Sequence, residues 1–472
     1  MSIDELHFWS VPFGRVETVI SRYKWPQLWQ LGWYRGISVP SQYEKGRFFM
    51  SIEGVEQMEL LKDLEFRGLV NQMTDEAGLK EQLNKPTTLY TGFDPTADSL
   101  HIGHLLPILT LKRFQEAGHH VIALVGGATG MIGDPSGRSD ERSLNTLDTV
   151  KQFSDRIKDQ LSRFLPLEGE NPISIRNNYE WTEELSIIDF LRDIGKHFPI
   201  SYMLAKDSVD SRLENGISYT EFSYMLLQSF DFLKLYENEN CRLQVGGSDQ
   251  WGNITAGLEL IRRFGHSEKA FGLTVPLVTK SDGQKFGKTA GGAVWLDADK
   301  TTPYEFYQFW INVDDADVIK FIKYFTFMSH EDILALEAEV VAAPEKRVAQ
   351  RRLAEEMTKL VHGEAGLDQA QRITTAFFSG DLKTLKPEDM DAAFKGMPQF
   401  ELDGERNLVD LLVEAKIAPS KRQAREDVQN GAIYLNGERE QSLDKTVTRA
   451  DTLGEFTIIR RGKKKYFVIR HV

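Results

Sequence analysis

Residues 90–104 read Tyr-Thr-Gly-Phe-Asp-Pro-Thr-Ala-Asp-Ser-Leu-His-Ile-Gly-His, a buried strand that runs through a turn into a helix start. His101 and His104 are three residues apart, so they point to one side of that helix start, where backbone amides and the helix dipole favour phosphate. Gly103 between them lets a flat purine approach the backbone. An isolated His-x-x-His pair is more often a surface or core feature, so its context must decide.

The segments around this motif predict an α/β fold. Short apolar runs alternate with longer amphipathic ones from about residue 60 to residue 280, and the clearest strands are 87–91, 121–125 and 241–245. Each is followed by a glycine-containing turn and a helical period. This order is typical of a Rossmann-like parallel sheet, where ligands bind beyond the carboxyl ends of the strands.

Composition and charge limit the class of protein. The 472 residues are 41% apolar, which suits several domains, and no run approaches the roughly 18 apolar residues of a membrane span. The single cysteine, Cys241, cannot form an internal disulfide, so we expect a reducing, cytoplasmic location. The net charge is −13, yet residues 406–472 hold fourteen Lys and Arg against nine Asp and Glu. This basic end predicts a polyanion-binding appendage, and a merely solvated charged surface is the alternative.

Composition shifts divide the chain into five segments. Residues 1–57 contain four of the eight tryptophans without a clear period, and we interpret them as an appended segment of unknown role, with natural translation from Met50 or Met58. Residues 58–301 form the Rossmann-like domain and residues 302–378 a helical domain. Residues 379–405 are expected to be a linker, and residues 406–472 a small basic α+β domain.

A second motif, Lys-Phe-Gly-Lys-Thr, occupies residues 285–289 after the strand-like run 273–279. Two ammonium groups three residues apart, on Lys285 and Lys288, can neutralise a polyphosphate while a bond forms at its α-phosphate. A solvated surface loop is the alternative for such a pair taken alone.

Together, in this order, the two motifs resemble the HIGH and KMSKS-type signatures of class I aminoacyl-tRNA synthetases, and residues 58–472 are similar to the bacterial tyrosyl-tRNA synthetase branch. The resemblance implies an enzyme that forms tyrosyl-adenylate and pyrophosphate from L-tyrosine and ATP, then transfers tyrosine to the 3′-terminal adenosine of tRNA(Tyr). It implies a homodimer, Mg²⁺ that arrives with ATP, and no resident metal. The alternatives are a tryptophanyl-tRNA synthetase, a non-enzymatic RNA-binding or splicing factor on this scaffold, and a nucleotidyltransferase that shares only the HIGH fold.

Tyrosine recognition requires polar groups at the far end of an aromatic slot, because only a substrate hydroxyl can satisfy them. Tyr90 and Asp231 match the family positions for that hydroxyl. A core-facing tyrosine with a capping aspartate is the alternative for the pair alone. The positions that match the groups around the substrate ammonium are Asp134, Tyr224 and Gln228. Gln250 matches a position near the substrate carboxylate or the α-phosphate.

The resemblance also implies the contacts to ATP. Asp249 follows a strand that ends in Gly-Gly and matches the ribose acceptor, with a helix N-cap as the alternative role. The other positions assigned to the nucleotide are Gly92, Asp94, His101, Gly103, His104, Gly247 and Lys288. The positions assigned to catalysis through the phosphates are Thr96, His101, His104, Arg138, Arg142, Lys285, Lys288 and Thr289. Some relatives have lysine where this chain has Arg138, which leaves its role less defined.

The terminal domain carries its own pattern. Residues 420–437 predict an N-capped basic helix, a glycine stop, a short strand and an Asn-Gly turn. They resemble the S-four-type RNA-binding domain, which implies contact with the anticodon and variable arms of tRNA. The expected tRNA contacts are Lys421, Arg422, Arg425, Lys463, Lys464 and Lys465 in this domain, and Lys206, Trp251, Arg262 and Arg263 in the catalytic domain.

Overall fold

The computed structural model describes residues 60–137, 144–214, 216–281, 286–289, 292–395, 397, 399–462 and 465–472, with Lys288, Thr289 and Pro387 described in their backbone alone. Residues Met58–Val472 form one compact unit. The appended segment and five predicted site residues lie outside the described residues, and these five are Arg138, Arg142, Lys285, Lys463 and Lys464.

A six-stranded sheet with the order β1-β6-β5-β2-β3-β4 organises the described part of the N-terminal half. Its strands are β1 (Gln72–Met73), β2 (Thr88–Phe93), β3 (His120–Val125), β4 (Ser174–Asn177), β5 (Cys241–Gly247) and β6 (Phe271–Val275). Strands β2 to β6 pair in parallel, and β1 pairs antiparallel with β6 at one edge. The predicted Rossmann-like parallel sheet is therefore confirmed.

The apolar runs form strands because helices cover both faces of the sheet. All five residues from Val121 to Val125 are buried, which is the near-continuous apolar pattern expected of a doubly covered parallel strand. The helices of this region are α1 (Leu60–Phe66), α2 (Glu76–Leu83), α3 (Leu105–Glu116), α4 (Thr129–Ile132), α5 (Leu147–Phe164), α6 (Tyr179–Thr182), α7 (Ile187–Asp189), α8 (Ile200–Leu204), α9 (Asp207–Asp210), α10 (Tyr219–Asn238) and α11 (Trp251–Arg263).

A short hairpin and four helices follow the sheet. The hairpin strands are β7 (Lys288–Thr289) and β8 (Gly292–Ala293), and the helices are α12 (Pro303–Ile311), α13 (Asp315–Phe325), α14 (His330–Ala342) and α15 (Val348–Ser379). Thr302 begins α12 with a capping box, in which its hydroxyl accepts from the Glu305 amide while the Glu305 carboxylate accepts from the Thr302 amide. Trp310 is fully buried among aromatic side chains from α12 and α13.

The terminal domain contains a five-stranded sheet with the order β12-β11-β14-β15-β9. The remaining elements are α16 (Pro387–Phe394), β9 (Gln399–Leu402), β10 (Arg406–Asn407), α17 (Leu408–Glu414), α18 (Lys421–Gln429), β11 (Ile433–Leu435), β12 (Glu438–Glu440), β13 (Thr446–Val447), β14 (Phe456–Arg461) and β15 (Lys465–His471). The predicted basic helix, strand and Asn-Gly turn correspond to α18, β11 and the turn before β12.

Much of the interval 379–405 is ordered structure rather than the linker that we expected. Strand β9 pairs in parallel with β15, so it belongs to the terminal sheet, and α16 contributes Met390 and Phe394 to a core shared with Ile458 of β14. The glycine and proline residues of this interval mark helix ends correctly. They do not indicate the pairing of β9, because its partner strand lies more than sixty residues later in the sequence.

Within the described residues, the helices are either too short or too polar to cross a membrane.

Candidate active site

The site lies where the order of the parallel strands reverses. The chain passes from β2 outward through β3 and β4, then returns to place β5 on the other side of β2. The helices connected to these strands leave on opposite sides of the sheet at such a point, which opens a crevice beyond the strand carboxyl ends. The quoted segment 90–104 leaves β2 at this crevice, and Gly247 and Asp249 follow β5 beside it.

Gly92 forms part of the floor of a slot in this crevice. It is exposed although it lies on a central strand between the buried residues Thr91 and Phe93. A methyl group placed on Gly92 would have no heavy atom within 4 Å. Tyr90 lies two residues earlier on the same sheet face. The slot is therefore open above Gly92 and bounded by the buried ring of Tyr90, which is 1% exposed.

The Tyr90 hydroxyl has no hydrogen-bond partner among the described residues. Burial and the nearby Asp231 raise the pKa of this phenol well above its usual value, so it stays protonated. A buried polar group without a partner costs about 1–3 kcal/mol. A ligand hydroxyl placed in the slot would remove that cost.

Asp231 is held in position by two side-chain donors. Its carboxylate accepts from Asn178 Nδ2 at 2.9 Å and from Trp181 Nε1 at 2.8 Å, and it is 3% exposed. Burial raises its pKa to about 7 in spite of these donors. The two fixed donors orient the carboxylate, so its remaining lone pairs can accept from a ligand hydroxyl.

The raised pKa predicts that the tyrosine binding expected from the sequence depends on pH. A phenol O–H donates a stronger hydrogen bond to a carboxylate than to a neutral carboxylic acid, so we expect tyrosine affinity to fall as the pH drops below about 7, by at most about tenfold per pH unit. Above pH 7 the affinity should be level. Equilibrium dialysis of tyrosine between pH 5.5 and 8.5 measures this, and a level profile down to pH 5.5 would contradict the assignment. Asp231→Asn is the control, whose weaker binding should lack the dependence.

A second set of acceptors lies towards the strand ends. Asp134 accepts from the Ser136 amide at 2.9 Å and from Gln250 Nε2 at 2.7 Å. Asn253 Nδ2 lies 3.0 Å from Gln228 Oε1 and 3.2 Å from Gln250 Oε1, which links α10 to α11. Carboxylate and amide oxygens are the partners that an ammonium group requires. The structure thus brings together the residues that the sequence assigned to the substrate ammonium.

The two ends of the slot are connected by one hydrogen-bond network. The Tyr224 hydroxyl donates to Asp94 at 2.7 Å, and the Thr129 hydroxyl donates to the other oxygen of Asp94 at 2.7 Å. Asn178 Nδ2 contacts Thr129 Oγ1 at 2.9 Å as well as Asp231. Asp94 therefore orients Tyr224, and the network links Tyr224 to Asp231 through Thr129 and Asn178.

Asp249 lies in a 3₁₀ turn, Ser248–Gln250, that precedes α11. The N-cap of α11 is Gln250, so the alternative of Asp249 as the cap of this helix is wrong. Burial, and next the charge of Asp134, raise the pKa of Asp249 to about 6. Gly137 approaches this carboxylate, because a Cβ on Gly137 would lie 3.6 Å from Asp249 Oδ2. The loop 134–137 and the end of β5 therefore border the same space.

The HIGH segment is a 3₁₀ turn, Ile102–His104, that leads into α3. His101 Nδ1 accepts from the Gly103 amide at 3.0 Å, and His104 Nδ1 accepts from the His101 amide at 3.1 Å. The two rings stack with centroids 4.0 Å apart. Both Nδ1 atoms accept hydrogen bonds from backbone amides, so the turn orients each ring. Thr96 is exposed in the preceding turn, two residues after Asp94.

The second motif lies against the first. The Val294 amide donates to the Gly287 carbonyl at 3.0 Å, and the Ile102 amide donates to the Val294 carbonyl at 2.9 Å. A Cβ on Gly287 would lie 2.3 Å from Ile102 Cγ2. The hairpin that contains Lys288 is therefore in direct contact with the HIGH turn, as a shared phosphate site requires.

Residues 81–379 match the family model of tRNA synthetases class I (W and Y), and residues 389–469 match that of the tyrosine–tRNA ligase SYY-like C-terminal domain. The chain belongs to the class I tRNA synthetases. A tyrosine–tRNA ligase 1 of Bacillus anthracis is 66% identical over 418 residues, which are 88% of this chain and 100% of that protein. A tyrosine–tRNA ligase of Geobacillus stearothermophilus is 63% identical with the same coverage. A C-terminally truncated mitochondrial tyrosyl-tRNA synthetase of Aspergillus nidulans has a TM-score of 0.62 at 31% identity, over 69% of this chain and 95% of that one.

The four candidate tRNA contacts on the synthetase catalytic domain lie on or beside helix α11. Lys206 Nζ donates to Thr255 Oγ1 at 3.1 Å near the start of the helix, where Trp251 lies. Arg262 and Arg263, at the other end, both bind Glu259 and lower its pKa to about 2. The arginine charges are thus partly compensated, and their role in binding tRNA stays a prediction.

The candidate contacts on the terminal domain lie far along the chain from the slot. Lys421 binds Asp410 at 2.7 Å, whereas Arg422 and Arg425 are exposed on α18 and Lys465 is exposed at the start of β15. No described contact joins these side chains to the slot residues.

Four residues of the slot were not predicted from the sequence. Asn178 and Trp181 lie just after β4, and Thr129 follows β3, so all three come from strand ends that the topological rule marks as ligand-binding. Gln244 is 3% exposed on β5 beside Tyr90, and its Oε1 has no hydrogen-bond partner among the described residues. No sequence pattern distinguishes these four polar residues from others on or just after a buried strand.

Proposed function

We propose that this tyrosine–tRNA ligase recognises its amino acid through Tyr90 and Asp231, which bind the phenolic hydroxyl at the closed end of the slot. The observation that supports this most directly is the buried Tyr90 hydroxyl without a partner among the described residues, beside an oriented Asp231 carboxylate. A substrate hydroxyl can donate to Asp231 and accept from Tyr90 at once. Phenylalanine could do neither, so it would leave both groups unpaired.

The substrate ammonium would be held by Asp134, Tyr224 and Gln228, with Gln250 near the carboxylate or the α-phosphate. Tyr224 donates its own proton to Asp94, which leaves its oxygen lone pairs for an ammonium proton. The tyrosine carboxylate itself attacks the α-phosphate, so no side chain has to act as nucleophile. Catalysis then consists of positioning and charge stabilisation.

ATP would lie across the strand ends, with its ribose at Asp249 and Gly247 and its adenine near Gly103. The phosphates would reach the HIGH turn and Thr96, and Mg²⁺ would arrive as part of the ATP substrate. The positions proposed to oppose the departing pyrophosphate are Lys285, Lys288, Thr289, Arg138 and Arg142, whose side chains lie outside the described residues.

Amino-acid-dependent exchange between ATP and pyrophosphate tests this proposal. Purified protein should support exchange with tyrosine alone among the twenty amino acids. Exchange with tryptophan would instead assign the chain to the sister specificity, and no exchange with any amino acid would favour the non-enzymatic RNA-binding alternative.

Gly92→Ala is expected to weaken tyrosine binding while the protein stays folded. The methyl group meets nothing within 4 Å and Gly92 has no positive φ, so the melting temperature should not fall. A bound ring would have to accommodate that methyl, and overpacking costs about 1–3 kcal/mol, or roughly 5- to 150-fold in affinity. Equilibrium dialysis with tyrosine and measurement of the KM for ATP distinguish a role of Gly92 in the amino-acid slot from the role in ATP binding that the resemblance implies. Unchanged affinity for both substrates would place the slot elsewhere.

We also propose a homodimer, cytoplasmic location and a tRNA(Tyr) substrate bound by α11 and the terminal domain. An apolar surface between α7 and α10 supports the dimer, because large side chains there are exposed. They are Ile187 (73% exposed), Ile188 (65%), Ile200 (61%) and Tyr219 (72%). Several large exposed apolar side chains within one stretch of the chain are typical of a protein interface. Sedimentation of Ile188→Asp against the parent chain tests it, since an unchanged dimer would exclude this surface.

A further inference from the structure

Phe286 and Gly287 lie between the two lysines of the second motif, and neither carries a charge that could bind phosphate. Phe286 is 9% exposed, although it lies in a turn just before a two-residue strand. A large apolar side chain buried at such a position must pack against another element.

The element that receives Phe286 is an aromatic box in the helical region. Its ring centroid lies 4.8 Å from that of Phe321, 5.5 Å from Phe325, 5.4 Å from Phe309 and 5.6 Å from Trp310. These four residues belong to α12 and α13, which lie outside the parallel sheet. The motif is therefore attached to the helical region by one side chain.

The next residue attaches the same loop to the HIGH turn. Gly287 has a φ of +79°, and a Cβ there would lie 2.3 Å from Ile102 Cγ2, so a larger residue would be both strained and in collision. Hydrogen bonds from Val294 to Gly287 and from Ile102 to Val294 complete this contact. The loop backbone is thus fixed from two sides within two residues.

We propose that Phe286 is a positioning residue for the adenylate-forming step. Its packed ring holds the backbone between Lys285 and Lys288 at a fixed distance from the HIGH turn. This inference rests on the proposed function of the two lysines in binding the transferring phosphates. The helical region acts through Phe286 as a rigid support for a loop whose charges matter in the transition state. Tyrosine binding does not involve this contact, because the slot residues lie on β2, α10 and the ends of β3 to β5.

Single-turnover formation of tyrosyl-adenylate in Phe286→Ala tests the proposal in the full chain. We expect the rate to fall about 100-fold, the order that misplacement of a catalytic group costs, while the tyrosine Kd stays within about twofold of the parent value. Phe286→Leu should recover most of the rate because a branched apolar side chain still fills the box. Gly287→Ala should reproduce the loss from the other side of the loop.

Tyr324→Ala is the matched control, since Tyr324 lies on α13 and its described ring contact is with Phe325 rather than with Phe286. It should lower the melting temperature without slowing adenylate formation. A Phe286→Ala protein that only melts earlier, or that loses tyrosine affinity as much as rate, would overturn the inference. If the parent chain supports tyrosine-dependent ATP–pyrophosphate exchange and Lys288→Ala does not, a contrary outcome with Phe286→Ala refutes only the role of Phe286. A parent without exchange would refute the proposed function itself.

Discussion

Asp231→Ala is expected to lower the preference for tyrosine over phenylalanine by a large factor. The substitution removes the acceptor for the substrate hydroxyl. It also removes the carboxylate to which Asn178 Nδ2 and Trp181 Nε1 donate. A hydrogen bond to a charged group is worth about 1.5–3 kcal/mol, so we expect a loss of roughly 10- to 150-fold in the ratio of kcat/KM values. Tyrosyl-tRNA synthetases reject phenylalanine by about 10⁵, a figure measured on enzymes of this kind rather than obtained from the present geometry.

The measurement is ATP–pyrophosphate exchange with tyrosine and with phenylalanine on Asp231→Ala and on the parent. Asp155→Ala, which changes an exposed aspartate on α5, is the control for the charge alone and should leave the ratio unchanged. Tyr90→Phe removes the other partner of the hydroxyl and should lower the ratio independently. An unchanged ratio in Asp231→Ala would show that the closed end of the slot is not where the ring is recognised.

Removal of the terminal domain is expected to lower tRNA charging by at least about 100-fold while adenylate formation continues. All described slot residues lie between Tyr90 and Asn253, and the basic surface of α18 and β15 lies after residue 406. Contacts with tRNA phosphates provide a large share of affinity for nucleic acid, so their loss affects charging first.

The structure indicates that the chain should be truncated after Lys395 rather than at residue 406. A chain that ends at Lys395 keeps α16 on α15 and removes the whole terminal sheet, including β9, whereas a cut at residue 406 would leave β9 without its partner β15. Full-length chain with Arg422→Gln and Arg425→Gln is the control that keeps the fold and changes only the charge. Full charging by the truncated chain would refute the role of the domain, and loss of exchange would show that the catalytic domain needs its support. The relative from Aspergillus nidulans was solved in a C-terminally truncated form.

The sequence could predict features that depend on local chemistry. The strand, turn and helix around residues 90–104 are specified by an apolar run, Pro95, and the histidine caps, so they could be read from neighbouring residues. The paired motifs identified the class I tRNA synthetases, which the family model confirms. The roles given to individual residues remain proposals, although the described residues assigned to tyrosine lie at one crevice.

Features that depend on contacts between distant segments could not be predicted in this way. Asn178 and Trp181 have no local pattern that distinguishes them from other residues after a strand, yet they decide the orientation of Asp231. The interval 379–405 looked irregular because β9 has no partner near it in sequence. Nothing near Phe286 in the sequence indicates that its ring packs against Phe321 and Phe325 of α13.

The sequence by itself determined the alternation of strands and helices around the parallel sheet, the HIGH motif after β2 and the membership of the class I family, because these follow from periodicity, caps and short motifs. The tertiary structure alone decided the raised pKa of Asp231, the empty space above Gly92 and the anchoring of Phe286. Burial, open volume and ring packing are properties of the space between elements, and residues more than fifty positions apart define that space.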